Sequence, residues 1–407
     1  MEPGTVAVQL TPVRRSRWLV LGGFSLLVAS TQLLWLTFAP ITVQAHQALK
    51  VSEQAIGYLA GIQPLMYVVL AIPTGRWMDR RFGPALTAGA LLTAGGAVLR
   101  LAAPDSYAWI LLGQFLIAVG QPLVLNATTK IAARYFPLAE RTAAISVASA
   151  AQFVGILVAA LTVGPLFDVG GVRLLLLVHA AVTVVAGICV LLAVRVPATF
   201  KADAPAAVSL RWLGHDRVMW RLGGLLFIGV GVFNAVATWL DSILSDFGHA
   251  GAGGTLIAVM TGAGIVGATV LPGAAAQHDR RRAVLLTTVS VTVLVFLAIA
   301  AVPDLLFIGV ALALEGFVLL AGLPVALDWS ELHVGPERAG TATGFLLLAG
   351  NLGGTVFVLA VQAVIGSPYL ALGVLSLVAL PGLVLALQLP GSVDPRPGEP
   401  QPCVRTA

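Results

Sequence analysis

The chain has 407 residues, 58% of them hydrophobic and only 10% charged, with a formal net charge of +5. A soluble domain carries roughly 25% charged residues, so this much apolar surface excludes a single water-soluble core. The apolar runs approach about 20 residues rather than the ten or so of a barrel strand, which predicts an all-α polytopic membrane protein.

After Arg14, Arg15 and Arg17, spans are predicted over 18–44, 55–77, 85–103, 107–133, 142–165 and 173–194. The first is too long for a signal-peptide core and is read as a retained span. A polar stretch, 195–221, follows, and then six more spans over 222–244, 254–275, 283–302, 305–329, 339–365 and 369–389. A Pro-rich tail, 390–407, closes the chain. Pro104-Asp105, Gly170-Gly171, Pro303-Asp304 and Gly366-Ser367-Pro368 supply the turn chemistry between spans. Cys189 and Cys403 have neither disulfide nor metal-site spacing. No cofactor is expected.

Twelve spans put both termini on one side. That side holds 20 of the 23 lysines and arginines, leaving Lys50, Arg100 and Arg173 for the other. The bias of basic residues toward the inner face makes it cytoplasmic, in a cell (inner or plasma) membrane, and accounts for the net charge without a nucleic-acid partner.

Two motifs repeat at nearly one offset. Gly75-Arg76-Trp77-Met78-Asp79-Arg80-Arg81-Phe82-Gly83 ends span 2, and Gln277-His278-Asp279-Arg280-Arg281-Arg282 ends span 8, 200 residues later. Pro137-Leu138-Ala139-Glu140-Arg141-Thr142-Ala143 opens span 5, and Pro336-Glu337-Arg338-Ala339-Gly340-Thr341-Ala342 opens span 11, 197 residues on when counted between the Glu-Arg pairs. The halves are therefore a six-plus-six duplication. The predicted organisation is 1–194, a first six-helix half; 195–221, a cytoplasmic linker; 222–389, a second six-helix half; and 390–407, a cytoplasmic tail.

Gly75 allows close helix contact, Asp79 suits a helix N-terminus, and the arginines suit the headgroup surface. A solvated charge run is the plainer reading. With the duplicated halves and the basic linker, this loop resembles the major facilitator superfamily across essentially the whole chain. Two residues, Arg81-Phe82, stand between Asp-Arg and Gly where that family commonly has one, and the second copy lacks both flanking glycines. Within the superfamily, Gly113-Gln114, Gly120-Gln121-Pro122 and Asn126 through Pro137 are similar to the FLVCR-related group of choline, ethanolamine and proposed haem transporters. Leu323-Pro324 through Asp328-Trp329, Pro336-Glu337 and Gly340 resemble the same group's junction of spans 10 and 11, with Asp328 where that group has a glutamate.

The resemblance implies that spans 1, 4, 7 and 10 line a central cavity. A polar or ionisable residue in mid-membrane is costly, and so a site candidate. Glu315, in the middle of span 10, suits a coupling or substrate site, or a structural hydrogen bond to a neighbouring helix. Asp241, after Asn234 and Trp239 on span 7, suits a gate or cation site, or an interfacial acid. Trp35, with Gln32 on span 1, can offer its ring to a cation or simply pack. Gln114 and Gln121 share a face of span 4, for the cavity or for interhelical bonding. Gln152 and Asn351 suit hydrogen bonds between the halves. Gly262, Gly264, Gly267, Gly350, Gly353 and Gly354 suit close helix packing.

The resemblance also places Asp79 against the start of span 11 near Arg338 and Thr341. Pseudo-symmetry then places Asp279 against the start of span 5 near Arg141 and Thr142. With Gly75, Arg80, Arg81 and Arg280, these residues are expected to gate.

The expected function is a secondary-active or facilitative transporter, and not an enzyme: a monomer in the bilayer moving a small solute of cationic or amphiphilic character by alternating access. A proton-coupled exporter of drugs or secondary metabolites is the alternative. The compact Gly-Pro-Gly-Gly arrangement typical of such antiporters is missing from span 5, where Gly155 and Gly164-Pro165 stand. A channel, a receptor or a membrane-embedded enzyme is the reading from another class, but the six histidines are scattered.

Overall fold

In the computed structural model of the chain, described for residues 11–200, 210–249, 252–364 and 366–391, the apolar runs are helices throughout. They are α1 (Thr11–Trp35), a 3₁₀ turn (Ala39–Ile41), α2 (Thr42–Leu49), α3 (Glu53–Arg80), α4 (Phe82–Ala102), α5 (Tyr107–Leu125), α6 (Thr128–Tyr135) and α7 (Leu138–Ala193). Then come α8 (Arg211–His215), α9 (Arg217–Asp246), α10 (Gly253–Gln277), α11 (Arg281–Ala301), α12 (Leu305–Leu319), α13 (Gly322–Val334), α14 (Ala339–Gln362) and α15 (Pro368–Leu387). Residues 201–209 of the linker, the tail beyond residue 391 with Cys403, and the side chains of Arg14, Arg15 and Asp241 lie outside the described residues.

Among the described residues, eleven stretches are long and apolar enough to cross a membrane, and one of them, α7, holds two spans. It is interrupted at Gly170 and Gly171, whose φ angles of −147° and 61° are not helical. The second angle lies in the left-handed region, which glycine enters without a Cβ clash. Among the described residues, all twelve expected spans are thus accounted for, and the fold is that of a multi-pass helical membrane protein.

Spans 4 and 10 each divide in two. Span 4 turns at Asn126–Ala127, between α5 and α6, and span 10 turns at Leu320–Ala321, between α12 and α13. In span 10 the cause is local: Pro324 has no N–H to give the Leu320 carbonyl one turn earlier. In span 4 the Asn126 amide donates instead to span 2, at Ala71 O (2.8 Å) and Thr74 Oγ1 (3.0 Å).

Spans 1 to 6 pack on one another, as do spans 7 to 12, and the two bundles meet where α3 touches α14 and α7 touches α10. We call the side carrying the loops after spans 2, 4, 8 and 10 the linker face. There Gly75 sits so close to span 11 that a Cβ on it would lie 2.7 Å from Gly340 O and 2.9 Å from Thr341 Cα. Glycine is needed on both sides of this crossing, since a Cβ on Gly340 would lie 2.9 Å from Asp79 Oδ1. The other glycines behave less uniformly. Gly264 and Gly267 meet span 10 and Gly350 and Gly353 meet span 7, but Gly262 has nothing within 4 Å of a would-be Cβ and makes no close contact.

One basic residue departs from its expected place. Arg100, assigned by the charge count to the surface opposite the linker, is completely buried among spans 1, 3 and 4.

Candidate functional site

The two bundles enclose a cavity of ≈ 1170 Å³, its mouth included, in the middle of the spans. Its walls come from more helices than the resemblance implied, with spans 2, 5, 9 and 11 adding to 1, 4, 7 and 10. Rings are supplied by Trp35, Tyr67, Phe153 and Phe233, and amides by Gln32, Gln63, Gln121, Gln152, Asn234 and Asn351. No Asp, Glu, Lys or Arg side chain is part of the wall among the described residues. Such a surface can hold an apolar body and a polar or cationic head through ring faces and amide oxygens.

Gln32, Trp35, Gln121 and Asn234 lie in the wall as expected. The Trp35 indole N–H donates to Ala60 O at 2.9 Å, which fixes the ring on span 2. Gln152 and Asn351, expected to bond the two halves together, are cavity residues instead, and the Asn351 amide donates to Leu347 O of its own helix.

Three candidates lie off the wall, and two of them, Gln114 and Glu315, make the interhelical hydrogen bonds that were the other use expected of them. Gln114 shares a helical face with Gln121 but lies two turns further out, where it accepts from Arg100 Nη1 at 2.8 Å and donates to Leu59 O at 2.9 Å. It bonds helices and does not face the cavity. Trp239 donates to Val358 O at 3.0 Å and joins spans 7 and 11 outside the wall. Glu315 is completely buried one residue behind the wall, where its Oε1 accepts from Thr292 Oγ1 at 2.7 Å. Thr292 itself lines the cavity.

Below the cavity a polar column runs to the linker face. The Tyr67 hydroxyl, in the wall, donates to Asn126 Oδ1 at 2.7 Å. One turn on, Thr129 Oγ1 lies 2.7 Å from Thr343 Oγ1 of span 11, and Lys130 Nζ lies 2.9 Å from Asp79 Oδ1. Lys130 also donates to Pro336 O (2.5 Å) and Glu337 O (3.1 Å) of the other bundle. Asp79 accepts from Gly340 N and Thr341 N, both at 2.9 Å, and from Thr341 Oγ1 at 2.5 Å. A carboxylate therefore caps the positive end of α14. Asp79 meets the start of span 11, as expected, but its cation is Lys130. Arg338 instead stacks over the Trp212 ring, 5.3 Å from its centroid. Arg80, Arg81 and Arg280 are exposed.

Across the pseudo-twofold the expected acid is the wrong one. Asp279 does not reach span 5. It sits in a left-handed turn (φ 49°), its side chain 44% exposed, and pairs with Arg281 at 3.3 Å. Asp328 of span 10 takes the place instead, accepting from Thr142 Oγ1 at 2.7 Å and from Arg281 Nε at 2.6 Å. Arg141 pairs with Glu331, also of span 10, at 2.9 Å. Ala275, where the first copy has Gly75, places a Cβ at the level that would have to be close-packed.

The residues missed from sequence include Gln63, Tyr67, Phe153, Phe233 and Thr292 at the cavity, and Lys130 and Glu331 at the linker face. Gln63 had a usable signal, a lone amide inside an apolar span, but span 2 was not assigned to the cavity.

The family model of the Major Facilitator Superfamily matches residues 19–358. Solute carrier family 49 member A3 of Danio rerio is 30% identical over 89% of this chain and 81% of its own length. The choline/ethanolamine transporter FLVCR2 of Homo sapiens is 24% identical over 87% of this chain and 73% of its own. Among solved structures, a bacterial homologue of the iron transporter ferroportin in its outward-facing state superposes with a TM-score of 0.74. It is 15% identical, over 92% of this chain and 99% of that one.

Proposed function

We propose that this chain, which belongs to the Major Facilitator Superfamily and is a membrane solute transporter rather than an enzyme, carries a small organic solute with a cationic or amphiphilic head by alternating access. The observation that supports this substrate class is the cavity wall of rings and amides without a charged side chain among the described residues. An anionic solute would need a counter-charge there, whereas a delocalised or quaternary cation is held by ring faces and amide oxygens. A relative named for choline and ethanolamine, both amines, agrees with this reading. The linker face lies in the cytoplasm, and the contacts of Asp79 and Asp328 hold it shut while the cavity serves the other side. Loss of these contacts opens the cytoplasmic path, the rocking motion of such folds.

A thermal-unfolding screen of the purified protein against quaternary amines, porphyrins, amino-acid derivatives and drugs tests the class. A ligand at about 100 times its dissociation constant adds about 2.7 kcal/mol. Trp35→Ala is expected to weaken binding of the amine found by about 0.5–2 kcal/mol, and Trp35→Phe by less. Equal losses, or stabilisation by anions alone, refute the aromatic site.

A second reading, proton-coupled export, is favoured by the contact of Glu315 with a cavity threonine. Glu315→Gln then abolishes the pH dependence of transport while the protein still folds. An unchanged pH profile removes Glu315 from the mechanism.

A further inference from the structure

The completely buried Arg100 has no acid within 4.0 Å among the described residues. Its guanidinium carries its charge at neutral pH, inside a bundle where an uncompensated charge costs several kcal/mol. The protein groups it reaches are neutral acceptors. Nη1 donates to Gln114 Oε1 at 2.8 Å, and more loosely to Thr37 Oγ1 and Leu34 O at 3.4 and 3.5 Å. Nε and Nη2 have no partner among the described residues.

The same Thr37 hydroxyl lies 3.0 Å from Nδ1 of His179, a side chain of span 6 that is only 1% exposed. That hydroxyl also donates to Leu34 O at 3.0 Å and Leu33 O at 3.3 Å, and Nε2 of His179 has no partner among the described residues. Two unpartnered guanidinium nitrogens, one unpartnered imidazole nitrogen and one net positive charge thus belong to side chains that meet at one hydroxyl. Their apolar surroundings are Leu34, Ala97, Ile117 and Ala180. Spans 3 and 4 close tightly beside them, with Gly96 and Gly113 backbone to backbone. None of the four polar residues belongs to the central cavity.

We propose that Arg100, through Nε and Nη2, and His179, carrying a proton on Nε2 when the site is filled, form with Thr37 and Gln114 behind them a binding site in the first bundle for a small inorganic anion of chloride size. Water would satisfy the donors but leave the charge; an anion satisfies both. Sealing from solvent and from the cavity selects a monoatomic ion over an organic carboxylate. The anion ties spans 1, 3, 4 and 6 together and is separate from the solute path.

The test is thermal unfolding of the purified full-length protein with sodium chloride replacing sodium gluconate at constant ionic strength. Chloride is expected to raise the melting temperature saturably, and bromide to do the same. Arg100→Gln abolishes the effect. His179→Phe raises the half-saturating chloride concentration about tenfold, the value of one hydrogen bond to a charged group. Crystals grown in bromide show an anomalous peak within hydrogen-bond distance of the guanidinium. Superimposable chloride and gluconate curves overturn the proposal, as does a chloride effect unchanged in both variants. If Arg100→Gln fails to fold, the His179→Phe titration and the bromide peak decide alone.

Discussion

The two contacts at the linker face occupy equivalent places in a duplicated fold, yet they are wired with opposite charge. At the start of span 11 the acid comes from span 2 and the base, Lys130, from span 4. At the start of span 5 the acids, Asp328 and Glu331, come from span 10, the repeat of span 4, and their bases are Arg281 at the start of span 9 and Arg141 at the start of span 5 itself. Thr341 and Thr142 stand 199 residues apart and play the same part in each, a hydroxyl given to a buried carboxylate. Duplication thus preserved where the bundles touch and which threonine does the touching, but not which helix supplies the acid. A buried ion pair works from either side, provided each charge keeps a partner.

The contacts also differ in how much of each crosses between the bundles. Asp79 receives two backbone N–H groups and a hydroxyl from span 11, while Lys130 reaches two carbonyls there, so nearly all of this set is lost on opening. In the second set Arg281 and Asp328 belong to one bundle, and only Thr142–Asp328 and Arg141–Glu331 cross. Asp79→Asn should therefore have the largest effect. It leaves Lys130 buried without its counter-charge and turns an amide toward backbone donors, which costs the joined state about 3–5 kcal/mol. In the open state water solvates Lys130, so the loss falls on the conformational balance, by roughly two to four orders of magnitude, rather than on folding. A cysteine in the cavity wall should then be labelled faster from the linker face while transport slows. Unchanged labelling with slowed transport would falsify this gating role.

Arg141→Gln is expected to come next. It removes one charge-assisted bond across the bundles, from a side chain 11% exposed, at about 1.5–3 kcal/mol. The same labelling assay should show a shift in the same direction as Asp79→Asn but smaller. An effect equal to or greater than that of Asp79→Asn would mean that the second contact dominates, reversing the comparison.

A third, smaller effect marks the edge of the second contact. His333, two residues after Arg141's partner on span 10, donates from Nε2 to Asp216, which also caps α9 through Val218 N and Met219 N. Burial pushes the Asp216 carboxyl up, but the His333 hydrogen bond and the helix N–H groups outweigh it and hold the group below its ordinary value. A depressed carboxyl contributes stability above the unfolded pKa, and that contribution is lost as pH falls through the folded value, so it should fade only below about pH 4. Asp216→Ala should cost about 1 kcal/mol at neutral pH and flatten that acid limb, while Asp216→Asn, still a cap, costs less. Melting curves from pH 3 to 7 check this, and an acid limb in Asp216→Ala as steep as that of the unmodified protein would remove Asp216 from it.

Sequence revealed the spans and the duplication because each rests on local chemistry, apolar length and a repeated motif; it reached the Asp79 contact through the family resemblance of that loop, not through local chemistry. It missed what depends on rotation about a helix axis and on depth. Gln114 and Gln121 share a face, but only one lies at the depth of the cavity. Glu315 sits at the right depth but one residue behind the wall. Asp328 was visible as a motif residue, yet nothing local says that span 10 reaches the start of span 5. That contact is fixed by tertiary packing, which the motif at the end of span 8 misrepresented.

The weakest substitution is therefore the most telling. Asp279 is the sequence twin of Asp79, so if the motif itself carried the gate, Asp279→Asn would match Asp79→Asn. The structure gives it a different life. It sits half exposed in a left-handed turn, with one 3.3 Å contact to Arg281, which keeps Asp328 as its closer partner at 2.6 Å. Asparagine tolerates the left-handed region as well as aspartate does, and a surface ion pair of this kind contributes about 0–1 kcal/mol. Asp279→Asn should thus change stability by no more than about 0.5 kcal/mol and leave both labelling and transport near those of the unmodified protein. Asp328→Asn, in the same background, should open the linker face. If Asp279→Asn opens it instead and Asp328→Asn does not, acid placement follows the duplicated motif after all, and the asymmetry between the two contacts is not how this transporter closes.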